Sequence, residues 1–202
     1  MDVLLVRHAH DLRSSSDGRA LSPLGHAQAA ALTRQLSGTR ITELWSSPSE
    51  RARQTGAPLA SALGLPMRCD PRLDEIHNDR EDDSSVPPPR ERSSAACLEG
   101  VEDWPAFLLR VSSFLGELCA GAREDQRVVI VTHSGVFDAL HEVLTGAGRR
   151  IELEVDHTAV TTWRYRPGSA AGTWLLRRHN DIGHLRGPAW PESSLRCRSE
   201  AR

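Results

Sequence analysis

The 202-residue sequence predicts a single α/β domain built on a mostly parallel β-sheet. Two short aliphatic runs, residues 3–6 and 128–131, are typical of strands buried on both faces. Between them, helical patterns with capping signals alternate with shorter strand patterns. A histidine follows soon after each aliphatic run, and in a parallel sheet both would lie at the carboxyl edge, where open α/β sheets bind ligands.

The remaining elements follow from local signals. A helix over residues 23–36 is predicted because Ser22 is a good N-cap and Pro23 suits the first helical position. Ser47 and Pro48 give the same signal for the next helix. In chain order, the other predicted elements are a strand over 41–46, a helix over 48–63, a strand over 67–69, helices over 100–121 and 135–144, and strands over 158–165 and 173–178.

Residues 1–187 are expected to form the domain, and two segments differ from it in composition. Residues 78–98 are rich in charge and serine and contain three consecutive prolines, which disfavour both helix and sheet, so we expect a mobile loop and a candidate lid. Residues 188–202 have no apolar periodicity and are expected to form a flexible tail.

Composition excludes several classes of function. The formal net charge of −2 gives no reason to expect nucleic acid or an anionic membrane as a partner. The sequence has no apolar run long enough to span a membrane and no secretory leader pattern, so a cytoplasmic location is expected. The oligomeric state is open, with a homodimer as one arrangement.

Neither a metal nor an organic cofactor is predicted. The four cysteines are scattered, and neither an H-x-x-x-H nor an H-E-x-x-H spacing occurs among the nine histidines. The chain also contains no lysine, which most simply reflects compositional bias. The absence of lysine excludes Schiff-base chemistry and a Walker-type phosphate loop.

The candidate site lies where the two aliphatic strands end. Arg7 and His8 follow the first strand, His133 follows the later one, and Arg51 lies in the first turns of a helix that follows another strand. A single histidine after a strand is often structural, but two histidines with an arginine beside one of them favour a site. Arginine and histidine without lysine or a metal motif suit a phosphate group.

Phosphoryl transfer at such a site needs a nucleophile and a proton donor. Flanking arginines would help keep His8 neutral near pH 7 and able to attack phosphorus, while fixed Arg and His donors stabilise the transition state. A carboxylic acid must protonate the leaving oxygen, and Asp74 or Glu75 could supply it. Glu75 is preferred because its side chain reaches further.

Five segments taken in order resemble the histidine phosphatase superfamily. They are residues 5–9 (LVRHA), 21–29 (LSPLGHAQA), 46–55 (SSPSERARQT), 73–75 (LDE) and 131–135 (VTHSG). The resemblance implies a three-layer α/β/α sandwich like that of phosphoglycerate mutase. It also implies that His8 is the phosphorylated residue, that Glu75 is the proton donor and that Arg7, Arg51 and His133 hold the phosphoryl group. Ser14 falls where many members have an asparagine that contacts phosphate.

Departures from the family pattern bear on the substrate. After Glu75, the residues Ile76, His77 and Asn78 lack the arginine and tyrosine that the mutases have there, which favours hydrolysis over mutase activity. His10 stands where members often have Glu or Gln, and it either lines the pocket or has no role. We therefore expect a phosphatase that acts on a small phosphorylated metabolite.

Three alternatives remain open from the sequence alone. A phosphoglycerate-type mutase or a phosphohistidine protein phosphatase would use the same residues on a different substrate. A non-catalytic module that only binds phosphorylated ligands would use the same pocket without turnover, since family likeness does not guarantee activity.

Overall fold

The computed structural model describes residues 1–12, 19–78, 85–96, 98–168, 172–186 and 190. These residues form a six-stranded sheet and four α-helices. The strands are β1 (Asp2–Arg7), β2 (Glu43–Ser46), β3 (Met67–Cys69), β4 (Arg127–Thr132), β5 (Val160–Arg166) and β6 (Thr173–Asp181). The helices are α1 (Pro23–Ser37), α2 (Glu50–Leu63), α3 (Trp104–Ala120) and α4 (Ser134–Thr145).

The strand order places β4 in the middle of the sheet, between β1 and β2. The order is β3-β2-β4-β1-β5-β6, and the pairings among β3, β2, β4 and β1 are parallel. The strands β5 and β6 are antiparallel to their neighbours. Arg7 at the end of β1 is in register with Thr132 at the end of β4, so the residues that follow the two strands are neighbours.

Different helices cover the two faces of the sheet, and residues 128–131 at the centre of β4 are therefore all buried. Val128 and Ile130 pack on the side that carries α3 and α4, whereas Val129 and Val131 pack on the side that carries α1 and α2. This alternation is what a strand between two helical layers requires. The fold is therefore the expected three-layer α/β/α sandwich.

Most predicted elements are present, with differences at their ends. Ser22 caps α1 and accepts a hydrogen bond from the Gly25 backbone N–H, as predicted. The prediction that Ser47 caps α2 is wrong, because the helix begins at Glu50 and its N-cap is Ser49. The helix predicted over residues 100–121 begins only at Trp104.

The segment predicted as an irregular loop over 78–98 contains short helical structure where it is described. Pro89–Glu91 and Ser94–Ala96 form 3₁₀ turns, with Pro89 in the first position, where proline is tolerated. Arg90 forms an ion pair with Asp138 of α4 across 2.9 Å. Residues 79–84 and 97 lie outside the described residues, as does the predicted tail except for Trp190.

In the part of the chain that the structure describes, no helix has both the length and the apolar composition to cross a membrane. Within the same residues, no group of three or more His, Cys, Asp or Glu side chains is arranged to hold a metal ion.

Candidate active site

The register between β1 and β4 brings His8 and His133 together at the carboxyl edge of the sheet. The backbone N–H of His8 donates to the Thr132 carbonyl across 2.8 Å, which continues the pairing beyond the strands. The two imidazole rings have centroids 5.1 Å apart and are inclined at 56°. His133 is fully buried and His8 is 7% exposed. Two of the predicted residues are thus adjacent and largely shielded from water.

A backbone contact fixes the protonation of the His8 ring. Its Nδ1 lies 2.8 Å from the carbonyl oxygen of Ala9, and because a carbonyl can only accept, Nδ1 must carry the proton. The lone pair of the neutral ring is then on Nε2. Burial lowers the pKa of His8 well below its usual value, and the nearby His133 and Arg51 lower it further. His8 is therefore an uncharged imidazole that can act as a nucleophile through Nε2.

Two half-buried arginines at this edge each hold a buried donor that has no hydrogen-bond partner among the described residues. The donors are Nε of Arg7 and Nε of Arg51. Arg7 is held through Nη1, which donates to the Val155 carbonyl. Near Arg51, the carboxylate of Asp11 lies 4.0 Å from Nε, too far for a hydrogen bond. Buried unpaired donors are costly, so their presence at one sheet edge points to an anionic ligand.

His133 connects Arg51 to Asp74. Nη2 of Arg51 can only donate, so His133 Nδ1, 3.0 Å away, accepts. His133 Nε2 then carries the proton and lies 3.1 Å from Asp74 Oδ1. Burial acts to raise the pKa of Asp74, but hydrogen bonds from His133 and Ser47 outweigh it and lower the pKa to about 2. Both ring nitrogens of His133 thus have protein partners, and the ring is placed to orient Arg51. To contact a phosphate directly, His133 would have to give up its contact with Arg51 or with Asp74.

Asp74 contacts His133, whereas the side chain of the next residue, Glu75, lines a cavity. Its Oε1 accepts from the Ile76 N–H across 3.0 Å, and its Oε2 accepts from the Gly135 N–H across 3.3 Å. The cavity, of about 380 Å³, is also lined by Ser134, Gly135 and Trp104. A Cβ atom at residue 135 would lie 2.1 Å from Glu75 Oε1, so only glycine leaves the carboxyl group in this place.

The backbone that carries Asp74 and Glu75 is held by one arginine. Arg110 of α3 donates to the carbonyl oxygens of Arg72, Asp74 and Glu75 across 2.8–2.9 Å. Its guanidinium is in turn paired with Glu102. Several charge-assisted bonds from one planar group fix the segment more tightly than single contacts would.

Sequence reasoning missed two residues of this site. Ser47, predicted as a helix cap, instead places its Oγ 2.9 Å from His133 Nε2 and 2.8 Å from Asp74 Oδ1. His157 donates from Nδ1 to the His8 carbonyl across 3.0 Å, and its ring lies 5.3 Å from that of His8. Burial and the nearby Arg7 lower the pKa of His157 to about 4. The sequence signal that could have identified His157 was its position directly before the strand predicted over residues 158–165.

The sequence also points to His10 and Ser14. The His10 ring lies 5.4 Å from His157, and its Nδ1 is 2.8 Å from the Ser22 hydroxyl, so His10 lies at the rim of the same cluster. Ser14 lies outside the described residues. Arg53 is exposed and pairs with Glu50, so it is Arg51 that faces the edge, as the spacing of the two arginines allows.

A neutral histidine beside two arginines at the carboxyl edge of an α/β sheet is typical of proteins that handle phosphoryl groups. A family model described as the histidine phosphatase superfamily (branch 1) matches residues 3–182. The chain belongs to this superfamily, and the resemblance seen in its motifs is confirmed.

Curated relatives match almost the whole chain. The probable phosphoglycerate mutase GpmB of Photorhabdus laumondii is 26% identical over 213 residues, covering 95% of this chain and 98% of that protein. The protein of the same name from Yersinia pestis is 28% identical over 213 residues with the same coverage.

Solved structures support the fold. A mycobacterial glucosyl-3-phosphoglycerate phosphatase in complex with inorganic phosphate superposes with a TM-score of 0.73 at 24% identity, covering 92% of this chain and 99% of that one. A putative alpha-ribazole-5′-P phosphatase from Escherichia coli gives a TM-score of 0.69 at 25% identity, covering 90% and 96% of the two chains. The predicted fold class is confirmed.

Proposed function

We propose that the chain is a metal-independent phosphomonoester hydrolase that forms a phosphohistidine intermediate on His8. The observation that carries this proposal is the neutral His8, with its lone pair on Nε2, beside arginines whose buried Nε donors are unpartnered among the described residues. The substrate would be a small phosphate ester, with its phosphoryl oxygens bound by Arg7 and Arg51. Fixed guanidinium donors stabilise the charge that develops on those oxygens.

The reaction would proceed in two displacements. Nε2 of His8 attacks phosphorus while the P–O bond to the alcohol breaks, and protonated Glu75 gives its proton to the departing oxygen. Water then attacks the phosphohistidine and gives a proton to Glu75, and the P–N bond breaks to release inorganic phosphate. His133 would hold Arg51 in place, and it would contact the phosphoryl group if one of its ring nitrogens exchanged its protein partner for a phosphoryl oxygen. Ser14 remains a candidate phosphate contact.

Mutase activity is the second candidate because curated relatives are named probable phosphoglycerate mutases. In a mutase, the phosphohistidine would pass its phosphoryl group to a second hydroxyl instead of water. A phosphohistidine protein phosphatase and a non-catalytic binding module would use the same pocket, and each predicts a different product or none.

The test is phosphate release from p-nitrophenyl phosphate, sugar phosphates, nucleotides and phosphoglycerates in the presence of EDTA. We expect release that survives EDTA and is lost in His8→Ala. His26→Ala is the matched control because His26 is an exposed histidine on α1 and should keep full activity. An active His8→Ala variant would refute the mechanism. Phosphoryl exchange without phosphate release would indicate the mutase.

A further inference from the structure

The cavity beside Glu75 is where the leaving group would lie. Glu75 is the proposed proton donor to the departing oxygen, so the rest of the alcohol must extend past it. The cavity of about 380 Å³ is bounded by the start of α4, by Glu75 and Ile76, and by residues 88–92. Its size suits a small metabolite. The charges around it therefore bear on which alcohols the enzyme accepts.

Carboxylates outnumber guanidiniums among the described residues that line this cavity. The carboxylates belong to Glu75, Glu91, Asp138 and Glu152, and the guanidiniums belong to Arg90 and Arg92. Glu91 and Glu152 are exposed at its margin. On the phosphate side, by contrast, Arg7 and Arg51 each keep a buried Nε donor without a partner among the described residues.

Both guanidiniums are engaged by other protein groups. Arg90 pairs with Asp138 across 2.9 Å, and its guanidinium carbon lies 5.5 Å from the centroid of the Trp104 ring. Arg92 is buried and donates to the carbonyl oxygens of Pro87 and His77. A carboxylate or phosphate on the leaving group would have to compete with these partners for either cation.

Other carboxylates of this cavity act on Asp138, although burial is the main cause of its shifted pKa. Burial raises the pKa of Asp138 to about 6, and the nearby carboxylates Glu152 and Glu75 add to this effect, although Arg90 and a backbone hydrogen bond oppose it. A second anion brought into the cavity would meet the same repulsion.

We infer that the enzyme prefers esters whose leaving group is an uncharged, hydroxyl-bearing alcohol over those whose leaving group carries a carboxylate or a second phosphate. The inference rests on the proposed function. Hydroxyl groups can donate to the carboxylates of Glu91 and Glu152 and exchange hydrogen bonds with Ser134, whereas an added anion cannot donate to those carboxylates and faces net negative charge.

Glycerol 3-phosphate and 3-phosphoglycerate make a matched pair for the test. They differ in a hydroxymethyl group against a carboxylate, with the phosphate ester unchanged. We expect kcat/KM for glycerol 3-phosphate to exceed that for 3-phosphoglycerate by about tenfold or more, which corresponds to about 1.4 kcal/mol. Equal or faster turnover of 3-phosphoglycerate would overturn the inference.

Glu152→Gln tests the cause of the preference. Removing this charge should lower the ratio of the two kcat/KM values several-fold, mainly by improving turnover of 3-phosphoglycerate. Glu154→Gln is the matched control, since Glu154 is exposed on the same segment and does not line the cavity, and it should leave the ratio unchanged. A ratio that Glu152→Gln does not alter would overturn the electrostatic explanation.

Hydrolysis of p-nitrophenyl phosphate separates this inference from the proposed function. If His8-dependent hydrolysis occurs but 3-phosphoglycerate is the better of the paired substrates, only the inference about the cavity fails. If p-nitrophenyl phosphate and both paired esters are not hydrolysed, the proposed function itself fails.

Discussion

Replacing Gly135 with alanine should lower the catalytic activity with little change in the stability of the protein. The new Cβ would lie 2.1 Å from Glu75 Oε1, about 1.3 Å inside the 3.4 Å at which ordinary contact begins, so the carboxyl group must move. A displacement of about 1 Å in a catalytic group can cost on the order of 10²-fold in rate, and a general acid typically contributes about 10²–10⁴-fold. We expect kcat/KM for an alkyl phosphate to fall about 100-fold.

The effect should depend on the leaving group. Alkoxides need a proton to depart, whereas p-nitrophenolate does not, so p-nitrophenyl phosphate should lose much less activity in Gly135→Ala. Because Gly135 lies in the first turn of α4, alanine gains up to about 1 kcal/mol from helix propensity. This gain offsets the hydrogen bonds that a displaced Glu75 loses to the Ile76 and Gly135 N–H groups, so the melting temperature should change little.

Gly116→Ala is the matched control for this experiment. Gly116 lies within α3, and a Cβ built there meets no atom within 4 Å, so the variant should be at least as stable as the wild type and fully active. The reasoning would be refuted if Gly135→Ala hydrolysed alkyl phosphates within about twofold of the wild-type rate, or if both classes of substrate were equally impaired.

Three further predictions concern the groups around Glu75. Arg110→Lys should lower the free energy of unfolding by about 2 kcal/mol, measured by denaturant titration, because an ammonium cannot reproduce the bonds to the carbonyls of Arg72, Asp74 and Glu75. The low pKa of Asp74, about 2, stabilises the folded state above about pH 4, so the melting-temperature advantage of the wild type over Asp74→Asn should shrink as the pH falls from 4 to 2. Asp138 has the opposite sign: its pKa of about 6 gives the wild type stability below about pH 4 that is lost as the pH rises through 6, so its melting temperature relative to Asp138→Asn should fall over that range.

Each of these predictions has an opposing outcome. An Arg110→Lys variant as stable as the wild type would show that the three carbonyl bonds contribute little. A melting-temperature difference for Asp74→Asn that stays constant down to pH 2 would contradict the lowered pKa. If the melting temperature of the wild type relative to Asp138→Asn rose between pH 4 and pH 7, the raised pKa of Asp138 would be contradicted.

The parts of the fold that sequence predicts well are those decided by local burial. Residues 3–6 of β1 and 128–131 of β4 are all aliphatic because both faces of the sheet are covered, and this pattern is readable without coordinates. His8 and His133 directly follow these two strands, so their adjacency follows once the pairing is parallel. Arg51 follows from the same logic, through a helix that begins at the same edge.

The parts that sequence misses depend on contacts between distant segments. His157 reaches His8 because β5 runs antiparallel to β1, a pairing that the spacing of residues does not reveal. Ser47 has the local signature of a cap, but hydrogen bonds to Asp74 and His133 hold its side chain in the site. Helix α2 consequently begins two residues after Pro48.

The central place of β4 has a consequence for synthesis of the chain. The sheet needs β4 between β1 and β2, yet 119 residues separate the last residue of β1, Arg7, from Arg127. At about 5–20 residues per second, a ribosome takes on the order of 6–24 s to make that stretch. During this time β1 lacks β4 as its parallel neighbour, and β2, once it is made, can pair with β3 but not yet with β4. The nascent chain therefore presents two unpaired strand edges until β4 emerges and joins them.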